Sequence, residues 1–447
     1  MTEKNDAVVK GNLWRALARF CIALIVLFAC YQFSMDSART GASRFLSMLS
    51  IIQSSASPAD MAVRITPNDP EAHYTRGLAL VNAQRLDEAV VELQAAIRLR
   101  PHHYYQWMDL GVTLDRLGDQ DGARNALQES IRLAPTFAQP RWQLGNLLYR
   151  EGRYDEAFAE LRLGGRSNPK LINGMLELAW VAANQDVGRL INLIQPASGR
   201  NHFTLARFLA KQGRGADAAS QVREAGPPQD EDEHGLLYEA ISELLAAGRF
   251  SEAFEVWKTS HPQSAAGKEQ ILNGDFLDAI LQDEPGFGWQ IPTLPNTAIS
   301  IDPSGPAPGI RSLRIDFSGE SPPAREIIHQ LVLVVPNTRY SLSFSARTEQ
   351  LITGGPPAVV ILDGTQNPKI LAQTNPVSAQ TGNWVAYSAD FSTPENSSAV
   401  IIRLQRLPCN QNPCPVFGKL WLSRFMLSKI ATGNAANNFD RSPAGRP

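Results

Sequence analysis

The strongest constraint in this sequence is a pattern that recurs every 34 residues between positions 62 and 169. The segments AVRITP, AIRLRP and SIRLAP start at Ala62, Ala96 and Ser130, each ends in proline, and Pro169 follows at the same interval. The same spacing separates three further sets of residues: Gly77, Gly111 and Gly145; Ala89, Ala123 and Ala157; and Leu93, Leu127 and Leu161. A fixed period of this length predicts a stack of equivalent structural units.

Each unit is predicted to be a pair of packed helices. Small residues such as Gly77 and Ala89 let the two helix backbones approach, and larger residues such as Leu93 fill the space around that contact. The proline at the end of the unit stops the second helix because it has no backbone N–H to donate. Gly118 and Gly152 suit the turns between the paired helices.

This pattern resembles the tetratricopeptide repeat, with three full repeats over about 68–169 and a degenerate half-unit at 41–67. Two later segments also have helix–turn–helix patterning: 205–222 and 238–257. We therefore predict an α-helical solenoid over 41–262, interrupted by an acidic loop at 227–234.

The resemblance implies a concave surface, formed by the first helix of each repeat, that binds a protein partner. The side chains it places on this surface are Tyr74, Leu78, Tyr105, Met108, Arg116, Trp142, Asn146, Tyr149 and Arg150. Tyr, Trp, Met and Arg are the residue types enriched at protein interfaces. The alternative role for some of these side chains is packing against neighbouring segments of the same chain.

The N-terminal segment carries a second strong signal. Residues 20–31, FCIALIVLFACY, form an unbroken apolar run that follows four basic residues: Lys4, Lys10, Arg15 and Arg19. We predict a transmembrane signal anchor at 16–35, with a cytoplasmic N-terminus at 1–15 and the bulk of the chain on the periplasmic side of the inner membrane. A cleaved signal peptide and a lipoprotein signal at Cys30 are alternatives that also export the remainder. A buried helix of a soluble domain is the alternative without export.

Helical periodicity stops near residue 263, and short alternating apolar runs separated by Pro, Gly, Ser and Asn follow. Strands are predicted at 312–317, 327–335, 339–348, 358–363, 384–391, 399–407 and 419–427. In RYSLSFSA, the apolar residues from Tyr340 to Ala346 share one face and the serines share the other, which is typical of a half-buried sheet. We predict an antiparallel β-sandwich of jelly-roll type over 263–430, followed by a disordered polar tail at 431–447.

The order of landmarks in this half resembles the carbohydrate-binding-module jelly roll of the galactose-binding-like class. ILNGDF at 271–276 and GFGW at 286–289 come first, and PNTRYSLSFSART, NWVAYSADF and KLWLSRFML follow. The resemblance implies stacking of aromatic rings on a glycan, for which the candidates are Trp289, Trp384, Tyr387 and Trp421. Core packing is the alternative role for these rings. Some relatives hold a structural calcium beside the last strand, but Arg424 stands there in this chain, so we expect no metal.

Two of the four cysteines, Cys409 and Cys414, lie five positions apart in a loop rich in Pro and Asn. No histidine or second cysteine pair lies nearby to complete a zinc site. In an exported protein a disulfide between them is therefore the prediction, with two unpaired thiols as the alternative.

Composition and motifs argue against two function classes. The formal net charge of −2 and the absence of a basic run argue against nucleic-acid binding. The sequence has no H-E-x-x-H, G-x-S-x-G, P-loop or G-x-G-x-x-G motif, so we predict no enzymatic activity and no cofactor. Carboxylates such as Asp283 and Glu284 keep a polysaccharide-acting enzyme as the least favoured alternative.

The combined prediction is a membrane-anchored periplasmic adaptor. Its solenoid would bind a protein partner and its sandwich a glycan, in the assembly or export of an exopolysaccharide or envelope polysaccharide. The second alternative is a periplasmic protein–protein scaffold whose sandwich has no ligand.

Overall fold

The computed structural model describes residues 2–53, 55–261, 267–281, 284–364, 368–409 and 413–430, and for residues 2–18 only the backbone. The predicted tail at 431–447 lies outside the described residues. The chain divides into two units, Met1–Gln195 and Pro196–Pro447. The domain boundaries expected at 41–262 and 263–430 remain predictions.

The first unit is helical. Its helices are α1 Thr2–Gln53, α2 Ala56–Ile65, α3 Pro70–Asn82, α4 Leu86–Leu99, α5 Tyr104–Leu117, α6 Gln120–Leu133, α7 Ala138–Arg150, α8 Tyr154–Ser167, α9 Ile172–Ala182 and α10 Val187–Ile194. The pairs α3/α4, α5/α6 and α7/α8 are the three predicted repeats.

The repeat glycines lie where the two helices of a pair touch. An ideal Cβ on Gly145 would lie 2.6 Å from Leu161 Cγ, and one on Gly111 would lie 2.7 Å from Leu127 Cγ. The predicted close approach of the two backbones is therefore present, and glycine is the residue that permits it. Gly118 ends α5 with a φ of 93°, a backbone conformation that favours glycine.

The first helix is longer than the span predicted at 16–35. At 52 residues, α1 is about 78 Å long. Its part from Arg19 to Gln53 is long and apolar enough to cross a membrane by length and composition. Toward its C-terminal end, α1 packs against α2 through buried serines, and Ser43 Oγ donates to the Ala62 carbonyl at 3.3 Å. The predicted half-unit at 41–67 is thus the end of α1 together with α2.

The second unit begins with four helices: α11 Gly199–Lys211, α12 Gly215–Ala225, α13 Glu231–Ala246 and α14 Phe250–Ser260. They form the two predicted helix–turn–helix pairs. The acidic stretch 227–234 differs from the prediction, because its second half is the first turn of α13. Asp230 caps this helix by accepting from the Glu233 N–H at 2.8 Å, and acidic residues are favourable at a helix N-terminus.

Nine strands follow in the described part of this unit: β1 Thr297–Asp302, β2 Ser312–Glu320, β3 Glu326–Leu333, β4 Arg339–Thr353, β5 Pro357–Asp363, β6 Ile370–Gln373, β7 Val385–Ser392, β8 Ala399–Arg406 and β9 Pro415–Lys429. They form two antiparallel sheets, in the orders β1-β2-β9-β4-β7 and β3-β8-β5-β6. The predicted antiparallel strands are confirmed, while β1 and β6 were not predicted.

One hydrophobic cluster takes buried residues from both sheets. Tyr340 and Phe344 on β4 belong to it, as the alternation of RYSLSFSA predicted. The Tyr340 hydroxyl donates to Glu269 Oε2 at 2.7 Å and accepts from the Val335 N–H at 2.9 Å. Burial, opposed by the Val335 N–H bond and assisted by Glu269, raises the pKa of Tyr340 to about 12.

Candidate protein-binding surface

The first helices of the three repeats, α3, α5 and α7, together present the predicted partner-binding side chains. We call this surface the helix-A face and define it by Tyr74, Leu78, Tyr105, Met108, Arg116, Trp142, Asn146, Tyr149 and Arg150. Tyr74, Met108 and Trp142 occupy equivalent positions 34 residues apart. Arg116 and Arg150 are exposed and the other seven are half-buried, so the face is partly open to solvent.

Contacts between α3 and α5 fix the start of this face. The Tyr74 hydroxyl donates to Asp109 Oδ2 at 2.6 Å, and the Tyr74 ring meets Tyr105 edge to face with centroids 5.1 Å apart. Burial is the main cause that raises the pKa of Tyr74 above its ordinary value, and burial also raises the pKa of Asp109. These rings are therefore held in place by the neighbouring repeat.

Contacts between α5 and α7 fix the other end. The Arg150 guanidinium on α7 pairs with Asp115 on α5. Arg116 on α5 instead contacts the first repeat, where it donates to Gln84 Oε1 in the turn after α3 at 3.0 Å. Within α7, Asn146 Nδ2 donates to the Trp142 carbonyl at 2.9 Å. The helix-A face is thus continuous across three repeats, with aromatic rings along it and two guanidinium groups at its exposed positions.

Sequence reasoning did not name the acidic residues that hold this face together. Tyr74 and Asp109 are 35 positions apart, and so are Asp115 and Arg150. Two residues that are 35 positions apart, which is one repeat length plus one residue, lie on the first helices of successive repeats. Their side chains are in contact in both pairs. Searching for complementary pairs at this separation would have found both.

A histidine in the first repeat makes the stability of the first unit depend on pH. His73 Nδ1 lies 2.6 Å from Glu92 Oε2, and Arg76 pairs with the same carboxylate at 2.8 Å. The hydrogen bond with Glu92 is the largest cause that raises the pKa of His73. A raised histidine pKa stabilises the fold fully below the unfolded value of about 6.5, and this contribution is lost as the pH rises through the folded pKa.

We therefore expect His73→Gln to destabilise the first unit more at about pH 5.5 than at about pH 8.5. Thermal unfolding of the two proteins at both pH values measures this difference. An equal loss of stability at both pH values would contradict the assigned ion pair.

The four rings proposed for glycan contact fall in different environments. Trp289 and Tyr387 are buried in the core cluster, where Trp289 packs against Phe425 with centroids 4.9 Å apart. Trp421 is 3% exposed and is covered by the Arg347 guanidinium, 4.2 Å from its ring centroid. Trp384 is half-buried. Of the four, Trp384 has the largest free surface for a ligand.

The predicted disulfide between Cys409 and Cys414 is confirmed. Residues 410–412 of its loop lie outside the described part of the chain. Next to it lies a side chain that sequence reasoning missed: Arg406, fully buried at the end of β8. Its guanidinium donates to the carbonyls of Gly355 at 3.1 Å and Cys414 at 2.9 Å, and also to the carbonyl of Ser321.

Glu284, one of the carboxylates considered for chemistry, is buried and hydrogen-bonded. Trp257 Nε1 donates to its Oε1 at 2.5 Å, and His261 Nε2 lies 3.1 Å from the same oxygen. Burial raises the pKa of Glu284. Asp283 lies outside the described residues. Within the described ranges, no group of three or more His, Cys, Asp or Glu side chains is placed to hold a metal ion.

Comparison with known proteins identifies the repeats. The sequence model of the tetratricopeptide repeat matches residues 74–136 and 108–166. A tetratricopeptide-repeat-containing protein of Pseudomonas aeruginosa is 38% identical over 88 residues, which are 20% of this chain and 36% of that protein. The chain thus matches about a third of the length of this curated relative. The first unit therefore contains tetratricopeptide repeats.

Solved structures similar to parts of this chain include YrrB, MamA and a CBM4 structure. YrrB, a tetratricopeptide-repeat protein with an unusual peptide-binding site, is 18% identical with a TM-score of 0.28, covering 49% of this chain and 90% of its own. MamA of Desulfovibrio magneticus RS-1 is 17% identical with a TM-score of 0.29, covering 42% and 93%. A CBM4 structure is 16% identical with a TM-score of 0.28, covering 36% and 99%.

Proposed function

We propose that this chain is a non-enzymatic adaptor that binds a protein partner on the helix-A face. The observation that carries the proposal is the continuity of that face. Tyr74, Tyr105 and Trp142 lie along three successive first helices. Contacts between repeats hold the Tyr74 and Tyr105 rings and the Arg150 guanidinium in place in the free protein. Preformed aromatic surfaces bind well because little conformational entropy is lost on binding.

We further propose a cellular location for the chain. The apolar part of α1 would anchor the chain in the inner membrane, with the bulk of it in the periplasm. The Cys409–Cys414 disulfide supports this location because disulfides persist in oxidising compartments. Since α1 continues without a break into the packing against α2, the anchor and the repeat stack would move together.

The two antiparallel sheets of the second unit would form a sandwich of jelly-roll type that binds a glycan. Their shared hydrophobic cluster supports a two-layer arrangement. In this proposal, the adaptor holds a protein of exopolysaccharide or envelope polysaccharide assembly or export while the sandwich contacts the polymer. A scaffold with a ligand-free sandwich is the second candidate, and the absence of any saccharide binding would favour it.

A peptide-binding experiment tests the helix-A face. Peptides selected from a displayed library on the full-length protein in detergent should bind the Trp142→Ala variant at least tenfold more weakly, because interface tryptophans are frequent hot spots. The matched control is Val91→Ala, which truncates an exposed apolar side chain on the second helix of a repeat and should leave affinity unchanged. Equal binding by both variants would contradict the proposal.

A further inference from the structure

One row of side chains crosses three strands of the five-stranded sheet and reaches the residue before a fourth. Arg314 on β2 is the register partner of Trp421 on β9, and Trp421 is also the register partner of Arg347 on β4. Trp384, just before β7, continues the row, with the Arg347 guanidinium 5.8 Å from its ring centroid. Directly opposed residues of neighbouring strands place their side chains on the same face of a sheet.

This face is the one directed away from the core. Leu420 and Leu422, on either side of Trp421, both belong to the core cluster. Successive side chains in a strand point to opposite faces, so the row that contains Trp421 points outward. Arg347 and Trp384 are both half-buried and therefore accessible in part.

Among the described residues, Arg347 differs from the charged side chains next to it in this row. The carboxylates near the row each have a partner: Asp302 accepts from Trp421 Nε1 at 3.0 Å, Asp316 pairs with Arg314 at 2.9 Å, and Glu349 pairs with Lys419 at 3.7 Å. Arg347, by contrast, forms no ion pair with a carboxylate among the described residues; its guanidinium lies between Trp421 and Trp384. A guanidinium that stacks on aromatic rings still has N–H donors along its edge. These donors can form two parallel hydrogen bonds with one carboxylate.

Hydroxyl groups lie beside this guanidinium on the same face. Ser345 and Ser343 follow on β4 at two-residue intervals from Arg347, and Ser388 on β7 is the register partner of Ser343. Ser343 and Ser345 are half-buried and Ser388 is exposed. A free guanidinium, a partly open indole ring and a run of hydroxyls are together complementary to a sugar that carries an acid group.

We propose that Arg347 and Trp384 form the binding site of a carboxylate-bearing saccharide. The guanidinium edge of Arg347 receives the carboxylate, the open face of Trp384 packs on the sugar ring, and the serines bond to its hydroxyls. This inference rests on the proposed glycan-binding role of the second unit and adds the site and the ligand class. The ligand of the second unit would then be an acidic polymer built from uronic acid units.

Calorimetry on the full-length protein in detergent tests this inference, with hexagalacturonate as the acidic probe and cellohexaose as the neutral one. We expect hexagalacturonate to bind, and Arg347→Gln to weaken this binding roughly tenfold, since a hydrogen bond between charged groups is lost. Arg314→Gln is the matched control: it removes a guanidinium from the same row that is already paired with Asp316, and should change affinity less than twofold.

The possible results distinguish the acidic-saccharide site from the more general glycan-binding role. Unchanged hexagalacturonate affinity in a correctly folded Arg347→Gln protein, or binding of cellohexaose alone, would overturn the acidic-saccharide inference and leave a glycan-binding sandwich. No binding of either oligosaccharide would overturn the glycan-binding role as well. Trp384→Ala provides a second variant, which should weaken hexagalacturonate binding at least as strongly if its ring packs on the sugar.

Discussion

Replacing Gly145 with valine should unfold the repeat stack at a much lower denaturant concentration than the parent protein requires. A Cβ at this position would lie 2.6 Å from Leu161 Cγ and 3.2 Å from the Ala157 carbonyl oxygen. The backbone oxygen cannot move aside without shifting α8, so α7 and α8 would have to separate. Overpacking of this kind costs roughly 1–3 kcal/mol, and we expect a value near the upper end because a backbone atom is involved.

The matched control is Gly188→Val, the same substitution at an exposed position of α10. A Cβ there would have only an ordinary contact, 3.4 Å from Asp186 Oδ1. Denaturant unfolding of the full-length variants, followed by a probe in the first unit, compares the two. Equal midpoints for the Gly145 and Gly188 variants would show that the helices do not cross as closely as described.

The second large effect is expected at Arg406. Replacing it with methionine keeps most of the side-chain volume but removes the donors to the carbonyls of Ser321, Gly355 and Cys414. Each buried carbonyl left without a donor costs about 1–3 kcal/mol. The Gly355 carbonyl keeps the Thr353 hydroxyl as a donor at 3.2 Å, so the carbonyls that lose their donor are those of Ser321 and Cys414. We therefore expect the second unit to lose at least about 2 kcal/mol in free energy of unfolding.

Arg406→Lys should recover little of this loss, because an ammonium group cannot reach several carbonyls with the planar geometry of a guanidinium. The control is Arg403→Met on the same strand, which removes a partly exposed guanidinium 3.4 Å from Glu326 and should cost no more than about 1 kcal/mol. Denaturant unfolding of the three full-length variants, followed by a probe in the second unit and with the disulfide intact, measures the stability lost in each. Comparable stabilities for the Met variants at 403 and 406 would contradict the role assigned to Arg406.

The repeat stack was predictable because its 34-residue period is marked by residue types that have specific structural roles. Glycine, alanine and proline recur at 34-residue intervals, and each has one geometric reason to stand there. The length of α1 was not predictable in the same way. The predicted span ends at position 35, but the helix continues, and Ser43, Ser47 and Ser50 are buried where it packs against the neighbouring helices. Small polar residues give no apolar stripe in the sequence, so this packing had no signal.

The second unit was harder to read. Strand β6 has four residues and β1 alternates weakly in burial, so neither has the clear alternation that predicts a strand. The burial of Arg406 has no local signal in the sequence, since two of its carbonyl partners, Ser321 and Gly355, come from distant segments. The outward direction of Trp421 did have a local signal in the sequence. It lies between two leucines of the core, and side chains in a strand alternate between the two faces.

The helix-A face carries the central claim, and in-cell photocrosslinking tests it most directly. A photoreactive amino acid would replace Met108, which lies in the middle of the face, or Val91, which is 59% exposed on the second helix of the first repeat. We predict a discrete crosslinked protein product from position 108 and none from position 91. Equal products from both positions, or none from position 108 in a chain that folds normally, would contradict the claim that this face binds a protein partner.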